Sequence, residues 1–543
     1  MVTILLRETQ LKRLIVISGQ VSSGKSTLAE GLVRNFGFDI QRTKDWLKRR
    51  NRTGREPGRR DLQRIGDGLD VRTHGRWVVD ELTKQLPLLK TGTVVVDSAR
   101  TKDQIEELRE AFGPIVTHIH LTATQAGLRR RFAERKKQKR QELATYEAVR
   151  RNKTEQHVDS LKAIADIVIN TERCTEKDLL IRAASHLRLY DANSTGYVDV
   201  LIGGQYGSEG KGQIASYISR EYDLLVRVGG SNAGHKVFAL PEPYTHHLLP
   251  SGTTRSRAKL LLGPGAVIDL ETLLKEISKY GVDSERLKID RKATMVLAED
   301  KKNEGGLKKT MGSTAQGVGY ATARRITNRI PPGAPLARDV PELKPFLCDA
   351  VDVLAEALSK NQRVLLEGTQ GTGLSLYHGE YPYVTSRDTT VSGCLAGAGI
   401  PPSHVRKVIM VCRTYPIRVG DPGGGYSGPM SQEITKQEIA RRSGKSLEEI
   451  SKTEITSTTN RPRKFGEFDW ALLRKAALLN GPTDIALTFV DYLSVDNANA
   501  RRFEQLHQET ISFIHEVERV SGARVSLIAT GFNTRSIIDR RSW

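Results

Sequence analysis

Residues Gly203–Gly212 read GGQYGSEGKG, and the C-terminal part of the chain is organised around this glycine-rich stretch. It follows Tyr197–Ile202 (YVDVLI), which has the composition of a short buried strand, and it precedes Gln213–Tyr222, which is predicted to be helical. A glycine-rich turn between a strand and a helix directs backbone N–H groups and the positive end of the helix dipole toward one point, where phosphate binds. The alternative is a tight turn with a solvated lysine. The stretch therefore predicts a phosphate site to which Lys211 adds a full positive charge.

Four segments downstream belong with this stretch. In chain order they are VRVGGSNAGH (Val226–His235), HLLPSG (His247–Gly252), EGTQG (Glu367–Gly371) and HGEYPYVTS (His378–Ser386). Together with QYGSEGKG they resemble the adenylosuccinate synthetases and fall in that family's order. The resemblance extends from Tyr197 to the C-terminus. It implies an α/β domain that joins L-aspartate to the 6-position of a purine monophosphate, using Mg²⁺ and GTP, or ATP in place of GTP.

The resemblance assigns roles residue by residue. Catalytic roles fall to His235, which would stabilise the transferring phosphoryl group, and to Lys211, Ser208 and Gln370; the alternative for the first is a structural histidine. Nucleotide contacts fall to Gly207, Glu209, Gly210, Gly212, Asn232, Ser313, Thr314, Thr385, Asp491 and Gly531. L-Aspartate contacts fall to Thr458, Thr459, Arg461 and Arg463. Arginine suits this role because its guanidinium group forms paired hydrogen bonds to carboxylates.

The resemblance also implies metal ligands and an assembly. The metal in this half would be held by Ser208 and by the carbonyl of Gly234. Arg325 or Arg329 would reach the site of a partner subunit, and the sequence does not choose between them. A homodimer built through the C-terminal half follows from this shared site.

Two positions depart from the family pattern. Ser208 stands where the family has an aspartate that removes the N1 proton and helps to hold magnesium, and a serine has no base character near pH 7. A shorter, uncharged side chain leaves space beside N1 for a 2-amino group, which favours GMP or dGMP over IMP. The same serine is a feature of phage-type synthetases that convert dGMP to the 2-amino analogue of adenylosuccinate. Phe489 replaces the lysine of the family's guanine-reading segment, whereas Asp491 is kept.

Several readings of the C-terminal half remain open at this stage. GTP is favoured as the phosphoryl donor because Asp491 is kept, and ATP is an alternative. Two other interpretations are an ordinary adenylosuccinate synthetase that uses IMP and GTP for AMP biosynthesis, and a catalytically impaired regulatory protein that binds nucleotides. The residue that would replace the missing aspartate base is not evident.

A second phosphate-binding motif lies near the N-terminus. Gly19–Ser26 (GQVSSGKS) matches the pattern G-x-x-x-x-G-K-[ST]. It follows the predicted strand Leu14–Ser18 and precedes the predicted helix Thr27–Phe36, which is the context that the motif requires. In such loops the lysine reaches the outer phosphates and the hydroxyl holds magnesium. The predicted ATP contacts are Gly19, Gly24, Lys25, Ser26 and Thr27, with Ser26 as the metal ligand.

The following segments resemble the small nucleoside- and nucleotide-monophosphate kinases. Three more buried strands are predicted at Thr93–Val96, Ile115–Leu121 and Ala165–Asn170. Asp97 is placed to orient water on the magnesium or to hold the acceptor, and Arg100 to hold an acceptor phosphate. Residues 127–153 would form the kinases' mobile lid, with Arg131 and Arg135 on one helix face over ATP; the alternative is a solvated basic helix. Further candidate acceptor contacts are Asp45, Arg49 and Arg64.

Length and composition agree with two α/β domains. The 543 residues predict a kinase-like domain at 1–190, a polar linker at 191–196 and a synthetase-like domain at 197–543. The net charge of +21 raises nucleic acid as a partner, but no recognition motif accompanies it, so no specific nucleic-acid binding is expected. No convincing signal peptide or membrane-spanning run is present, and the four cysteines have no metal spacing, which predicts a cytoplasmic protein with reduced thiols.

Overall fold

The protein is described here by a computed structural model that covers residues 11–51, 57–138, 145–150, 157–172, 174–189, 196–238, 242–454, 462–533 and 536–541. The chain divides into two compact units, Met1–Ala192 and Asn193–Trp543. Of the predicted linker, only Gly196 lies within the described residues. None of the helices in these ranges combines the length and the apolar character that crossing a lipid bilayer requires.

The N-terminal unit is built on five parallel strands. They are β1 (Arg13–Gly19), β2 (Asp39–Arg42), β3 (Thr93–Asp97), β4 (Val116–Thr122) and β5 (Ile167–Asn170). Their order in the sheet is β2-β3-β1-β4-β5. The α-helices are α1 (Lys25–Phe36), α2 (Thr43–Arg49), α3 (Arg59–Thr73), α4 (Trp77–Gln85), α5 (Lys102–Phe112), α6 (Gln125–Gln138), α7 (Tyr146–Arg150) and α8 (Glu176–His186). Short 3₁₀ helices lie at Leu86–Leu88, Gly113–Ile115 and Val158–Ile164.

Alternation along the central strand builds a core on each face of this sheet. Leu14 and Val16 pack on one face, and Ile15 and Ile17 on the other, since successive strand residues point to opposite sides. All four side chains are fully buried. The continuous apolar run LIVI is therefore the signature of a strand that is covered on both faces.

The C-terminal unit contains seventeen named strands in the described residues. The first group is β6 (Tyr197–Gly203), β7 (Leu224–Arg227), β8 (His235–Val237), β9 (Tyr244–His246), β10 (Lys259–Leu262), β11 (Val267–Ile268), β12 (Leu287–Asp290), β13 (Thr294–Met295) and β14 (Leu347–Cys348). The second group is β15 (Arg363–Glu367), β16 (Val405–Arg413), β17 (Ile417–Val419), β18 (Glu433–Ile434), β19 (Arg463–Gly466), β20 (Asp484–Thr488), β21 (Arg524–Ala529) and β22 (Ile537–Asp539).

Helices connect these strands. The α-helices are α9 (Lys211–Ile218), α10 (Leu270–Tyr280), α11 (Ala298–Asn303), α12 (Gly305–Thr310), α13 (Val318–Thr327), α14 (Ala350–Ser359), α15 (Val391–Ala398), α16 (Lys436–Ser443), α17 (Leu447–Thr453), α18 (Trp470–Asn480) and α19 (Gln508–Ser521). The 3₁₀ helices are Ser219–Glu221, Ala337–Asp339, Pro341–Phe346, Thr372–Leu374, Pro402–His404, Val490–Tyr492, Val495–Asn499 and Phe503–Gln505.

A ten-stranded sheet forms the centre of this unit, in the order β14-β12-β10-β7-β15-β6-β16-β20-β21-β22. All neighbours in it are parallel except the last pair, β21 and β22. Two large apolar clusters cover its faces. The carboxyl ends of β6, β15 and β16 lie side by side, so the loops that follow them meet at one edge. The predicted α/β fold class is confirmed for both units.

The structure moves the start of both motif helices. The helix after the first glycine stretch was predicted at Gln213–Tyr222, but α9 begins at Lys211 because Gly210 takes a left-handed conformation that ends the loop. In the N-terminal unit, Gly24 does the same before α1. Both phosphate-loop lysines therefore occupy the first turn of a helix, at its positive end. Within the range 127–153 predicted as a lid, the described residues include α6 and α7, and the lid itself stays a prediction.

Candidate functional site

The glycine-rich loop of the C-terminal unit runs from the end of β6 to the first turn of α9. Gly207 and Gly210 have φ values of +97° and +90°, in the left-handed region that favours glycine. With α9 starting at Lys211, the N–H groups of Lys211 and Gly212 precede the first hydrogen bonds of the helix, which Gln213 and Ile214 donate to the Gly210 carbonyl. This is the geometry of an anion site at a helix N-terminus, as the sequence predicts.

The buried side chain of Glu209 holds this loop in place through hydrogen bonds. Its Oε1 accepts hydrogen bonds from the backbone N–H groups of Gln205, at 3.0 Å, and Gly207, at 2.7 Å. Its Oε2 accepts one from Lys211 Nζ at 2.6 Å, and both of these side chains are 1% exposed. Lys211 also donates to the Gly207 carbonyl at 3.1 Å. The carboxylate thus fixes the loop and holds the lysine against it, which is a different role from the nucleotide contact that the resemblance assigns to Glu209.

His235 belongs to a buried polar cluster that the sequence reasoning missed. Its Nδ1 lies 2.5 Å from Oε1 of Glu367, the last residue of β15. The same carboxylate accepts hydrogen bonds from the Ser251 hydroxyl at 2.5 Å and the Ser251 backbone N–H at 2.8 Å. Arg227 Nη1 lies 3.4 Å from Glu367, and its guanidinium also donates to three backbone carbonyls. The one sequence signal for Glu367 was its place at the start of the family segment EGTQG.

The protonation states of this cluster follow from burial and charge. Burial, together with the Arg227 charge, lowers the pKa of His235 to about 4. Burial alone would raise the pKa of Glu367, but Arg227 and the hydrogen bond from His235 bring it down to about 2. Neutral His235 therefore donates its Nδ1–H to an ionised Glu367, and Nε2 carries a lone pair. Nε2 is buried without a hydrogen-bond partner in the described part of the chain. A bound phosphate beside it would favour the protonated, donating form.

Glycines let the catalytic candidates approach one another. A Cβ on Gly212 would lie 2.9 Å from the Cβ of His235, and a Cβ on Gly371 would lie 2.4 Å from Glu209 Oε1. Gln370, next to Gly371, has a φ of +60°, a strained value for a residue with a side chain. The segment after β15 and the start of β8 therefore pack directly on the phosphate loop and its helix.

Ser208 lies half-buried in the same loop. Its carbonyl accepts a hydrogen bond from Arg413 Nη1 at 3.3 Å, whereas its hydroxyl has no hydrogen-bond partner among the described residues. Arg413 is itself buried and donates to Glu454 Oε1 at 2.7 Å. Its guanidinium lies 4.0 Å from the ring centroid of Phe489. The backbone at Ser208 is thus held in place while the side chain is left for a substrate.

Glu454 also holds the one predicted aspartate contact that the structure describes. Arg463, the first residue of β19, donates to Glu454 Oε2 at 3.1 Å and is 16% exposed. The Tyr492 hydroxyl donates to Glu454 Oε1 at 3.0 Å. Burial would raise the pKa of Glu454, but the two guanidinium groups lower it, so the carboxylate is ionised. The other predicted contacts, Thr458, Thr459 and Arg461, lie outside the described residues.

The predicted monophosphate loop joins α12 to α13. Ser313 follows Gly312, which has a φ of +74°, and its hydroxyl accepts a hydrogen bond from the Ala315 N–H at 3.1 Å. Thr314 is half-buried beside it. Other predicted contacts that are half-buried are Asn232, Gly234 and Thr385. These positions remain predictions for the nucleotide site.

The two candidate cross-subunit arginines differ in their surroundings. Arg325 Nη1 donates to the Lys292 carbonyl at 2.7 Å and to Thr294 Oγ1 at 2.8 Å, within its own chain. Arg329, just beyond the end of α13, is exposed. Arg329 is therefore the more exposed of the two candidates, and the cross-subunit contact stays a prediction.

The predicted donor-base residues lie beside the phosphate loop. Asp491 Oδ2 accepts a hydrogen bond from Lys445 Nζ at 2.9 Å. No motif indicated this partner, because Lys445 lies in a different segment, between α16 and α17. Phe489, two residues earlier, has a φ of +60°. Its ring centroid lies 5.3 Å from that of Phe532, which follows Gly531.

The N-terminal phosphate loop has the expected geometry. Gly24, with a φ of +98°, ends the loop, and α1 starts at Lys25. Lys25 Nζ donates to the Gly19 carbonyl at 2.7 Å and to a second loop carbonyl at 2.8 Å. The Ser26 hydroxyl donates to Asp97 Oδ2 at 2.9 Å. A hydroxyl and a carboxylate side by side suit Mg²⁺, which prefers oxygen ligands together with substrate phosphates.

A cavity of about 1620 Å³ opens beside this loop. Predicted site residues that line it are Gly24, Lys25, Ser26, Thr27, Asp45, Asp97, Arg100 and Arg131. Arg131 is fixed at one end, where it donates to Thr171 Oγ1 at 2.9 Å and to the Thr171 carbonyl. Arg49 and Arg64 are exposed and do not belong to the lining. The side chain of Arg135 lies outside the described residues.

Two polar groups of the N-terminal unit were not anticipated. Asp70 lines the cavity and accepts hydrogen bonds from Trp77 Nε1 at 2.7 Å and Gln104 Nε2 at 2.9 Å; burial raises its pKa. Beneath the phosphate loop, the Ser18 hydroxyl lies 2.6 Å from one buried imidazole and 2.8 Å from another. These imidazoles belong to His118 and His120, and burial lowers the pKa of each to about 4. Period-2 alternation placed both histidines in a strand but gave no sign of their shared partner.

Within the described ranges, no cluster of three or more histidine, cysteine, aspartate or glutamate side chains is arranged to hold a metal ion. Mg²⁺ in nucleotide enzymes usually takes part of its coordination from substrate phosphates.

Comparison with known proteins agrees with this geometry. The family model described as Adenylosuccinate synthetase matches residues 200–330 and 336–498, and the one described as AAA domain matches residues 15–159. The adenylosuccinate synthetase of Methanocaldococcus jannaschii is 38% identical over 353 residues, which are 63% of this chain and 96% of that protein. The N-terminal unit is a P-loop, kinase-like domain joined to a ligase of this type.

Two solved structures are similar to the C-terminal unit. The succinoaminodeoxyadenylate synthetase of cyanophage S-2L, bound to dGMP and to dATP as an energy donor, is 27% identical with a TM-score of 0.53, over 64% of this chain and 96% of that one. The fully ligated adenylosuccinate synthetase from Plasmodium falciparum, 22% identical with a TM-score of 0.56 over 64% of this chain and 100% of that one, shares the fold. With the family model matching more than half of its residues, and with the phosphate loop, His235 and Gln370 brought together as described, this chain belongs to the adenylosuccinate synthetase family.

Proposed function

We propose that the C-terminal unit joins L-aspartate to the 6-position of a guanine monophosphate, GMP or dGMP, at the expense of a nucleoside triphosphate. In this family's reaction the 6-oxygen of the purine first receives a phosphoryl group, and the amino group of aspartate then displaces phosphate. A carbonyl oxygen is a poor leaving group and phosphate is a good one, so one difficult step becomes two easier steps.

Ser208 is the observation that carries the choice of a guanine base. The family's aspartate at this position is replaced by a shorter, uncharged side chain, and the loop around it is fixed by Arg413. Space is thereby left beside N1, where guanine carries a 2-amino group and hypoxanthine carries a hydrogen. The cyanophage synthetase that was solved with dGMP supports the same choice.

The remaining roles follow from the charges around the loop. Lys211 and the N–H groups of α9 bind the donor phosphates, and Mg²⁺ would be held by those phosphates with Ser208 and the Gly234 carbonyl. His235 is kept in place by Glu367. It donates a hydrogen bond from Nε2 to the phosphoryl group during its transfer. Such preorganised donors stabilise charge where it develops in the transition state.

Arg463 binds the substrate aspartate. Glu454 is a single negative charge that faces two guanidinium groups, those of Arg413 and Arg463. One positive charge is therefore left over at the partly exposed end of the cluster, where it attracts a dicarboxylate. The loop of residues 455–461 supplies the other predicted contacts.

The experiment is a panel of monophosphates. Succinylated product is measured from IMP, GMP and dGMP, with aspartate and donor saturating, for the wild type, Ser208→Asp and Ser208→Ala. The wild type should prefer GMP or dGMP, and Ser208→Ala, which keeps the space, should retain that preference. Ser208→Asp should shift the preference toward IMP by about 1–3 kcal/mol, the usual value of rejecting one small group by shape.

Two outcomes would overturn the proposal. A wild-type enzyme that turns over IMP and ignores both guanine nucleotides is an ordinary adenylosuccinate synthetase. A protein that makes no product from any of the three monophosphates is a nucleotide-binding regulatory protein instead.

The N-terminal unit acts as an ATP-dependent nucleotide kinase. Its cavity of about 1620 Å³ exceeds the roughly 300–1,000 Å³ of a single small-molecule pocket, so a donor and an acceptor fit together. Lys25→Ala should abolish phosphoryl transfer and leave ligase activity from a supplied monophosphate intact, whereas Lys90→Ala, at an exposed lysine, should change neither. Loss of both activities in Lys25→Ala would show that the units do not work independently.

The functional assembly is a homodimer in which Arg329 contacts the neighbouring monophosphate site. The greater exposure of this arginine, compared with Arg325, which is hydrogen-bonded within its own chain, supports the assignment. The substrates are a purine monophosphate and L-aspartate.

A further inference from the structure

We infer that Lys445 and Phe489 set the base preference of the ligase's phosphoryl donor and make an adenine nucleoside triphosphate a better donor than GTP. This inference rests on the proposed ligase activity, but it concerns the donor and is independent of which monophosphate accepts the phosphoryl group. It assigns a specificity role to a lysine that lies far from every recognised motif.

The carboxylate of Asp491 has two unequal oxygens. Oδ2 is held by Lys445 Nζ at 2.9 Å, and Oδ1 is buried without a hydrogen-bond partner in the described residues. Both side chains are almost fully buried, at 5% and 3% exposure, and Lys445 is tied further by Glu449 at 2.8 Å. Burial raises the pKa of Asp491, and the charge of Lys445 opposes that shift. A base that enters this site therefore meets one oxygen without a partner, Oδ1, and one, Oδ2, whose acceptor capacity is reduced by the bond from Lys445.

The two purines need different acceptors. The Watson–Crick edge of guanine presents adjacent N1–H and N2–H donors, which a carboxylate binds with both oxygens. Adenine presents a single donor, the 6-amino group, beside the N1 acceptor. One unpaired oxygen satisfies adenine, whereas guanine would leave a donor without a partner, and an unpaired buried polar group is strongly unfavourable.

Aromatic rings cluster around Phe489, two residues before Asp491 in the chain. Phe489 stands where the family has a lysine, and its ring centroid lies 5.3 Å from that of Phe532, which in turn lies 4.8 Å from Phe238. All three are half-buried. Stacking on such rings is tolerant of base identity, because every base has a π-face. The rings thus supply affinity, and the single oxygen supplies the preference.

The position of these rings relative to the phosphates identifies them as part of the donor site. A Cβ on Gly210 would lie 3.6 Å from Phe489 Cε2, so the ring touches the turn that starts α9. The Thr488 hydroxyl donates to the Glu209 carbonyl at 2.6 Å, which fixes β20 to the phosphate loop. A nucleotide whose phosphates sit on this loop has its base within reach of the aromatic cluster.

The experiment compares ATP with GTP in the full-length chain carrying Lys25→Ala, so that the kinase unit does not consume the donor. Succinylated product is followed from whichever monophosphate the enzyme uses, and kcat/KM is determined for each donor. We expect ATP to exceed GTP by about tenfold or more, the effect of one charge-assisted hydrogen bond. A GTP preference of any size overturns the inference.

Two variants test the roles of the carboxylate and the lysine. Asp491→Ala removes the acceptor oxygen while Lys445 keeps its ion pair with Glu449, so the ATP-to-GTP ratio of kcat/KM should fall about tenfold; an unchanged ratio would overturn the role of this carboxylate. Lys445→Met frees both oxygens and should raise the GTP-to-ATP ratio of kcat/KM about tenfold. Lys452→Met, at a lysine that is 73% exposed on α17, is the matched control and should leave the ratio unchanged.

Failure of the ligase proposal can be told apart from failure of this inference. If no monophosphate yields product, calorimetric titration of ATP and GTP onto the same Lys25→Ala protein still measures the affinity of the donor site for each nucleotide. Tighter binding of ATP, weakened by Phe489→Leu, supports the inference without turnover. Tighter binding of GTP, or binding that Phe489→Leu does not change, overturns it.

Discussion

Replacing Arg463 by leucine tests the proposed aspartate site. The guanidinium is partly buried against Glu454, at 3.1 Å, and 16% of the side chain is exposed. A charge-assisted hydrogen bond to a carboxylate contributes about 1.5–3 kcal/mol, which corresponds to a factor of roughly 10 to 150. We therefore expect Arg463→Leu to raise the KM for aspartate by that factor and to leave the KM for both nucleotides nearly unchanged.

The fold should survive this change. Glu454 keeps the hydrogen bond from Arg413 at 2.7 Å and the one from Tyr492 at 3.0 Å, so its buried charge stays compensated. The loss of stability should not exceed the contribution of one charge-assisted hydrogen bond, about 1.5–3 kcal/mol. A larger loss would mean that the arginine acts mainly as a structural partner of the glutamate.

The assay is steady-state formation of succinylated product at saturating monophosphate and donor, with aspartate varied, together with the melting temperature. The matched control is Arg441→Leu, which removes an ion pair to Glu438 at a side chain that is 73% exposed. Exposed pairs contribute little, so this variant should behave as the parent in both measurements. An unchanged KM for aspartate in Arg463→Leu would refute the assignment of this loop.

Three further predictions follow. Gly371→Ala should abolish ligase activity while phosphoryl transfer by the N-terminal unit persists, since its Cβ would lie 2.4 Å from Glu209 Oε1; an active variant would contradict this packing. The free energy of unfolding of the N-terminal unit should fall by up to about 3 kcal/mol per histidine below pH 6.5, because the pKa values of His118 and His120 are about 4 in the folded state and 6.5 in the unfolded state. Hydrogen-exchange protection that stays constant from pH 6.5 to 4.5 would contradict this prediction. Light scattering should report two copies, and Arg329→Leu should lower turnover without changing that mass; a fully active monomer would rule out a shared site.

Local patterns in the sequence were sufficient for the elements that carry the phosphate loops. The runs before Gly19 and Gly203 are apolar and end in glycine, and each is followed by a helix, so the strand–loop–helix units were predictable. Their boundaries moved by one or two residues because a left-handed glycine at the helix start, such as Gly24 or Gly210, is not evident from composition. The covering of both sheet faces also followed from continuous apolar strands.

The charged partners of the site were much harder to predict, because they come from distant segments. Glu367 meets His235 across 132 residues, Glu454 meets Arg413 across 41, and Lys445 lies 46 residues from Asp491. No period or motif links such pairs. Glu367 and Arg413 end strands of the parallel sheet, whereas Glu454 and Lys445 follow α17 and α16, so only the complete fold places the partners together.

These distant pairs decide the chemistry at the two positions where the chain departs from its family. At Ser208 the negative charge of the family's aspartate is missing. Arg413, which is paired with Glu454, donates to the Ser208 carbonyl and so fixes the loop. At Phe489 the positive charge of the family's lysine is missing. Lys445, from a different segment of the chain, brings a positive charge to this region and pairs with Asp491. Both substitutions replace a charged side chain by a neutral one in the predicted base sites. Under the two proposals, the acceptor base is recognised by the space at Ser208, and the donor base by stacking on Phe489 and by one oxygen of Asp491. The preference for each base therefore has to be tested at these two positions separately.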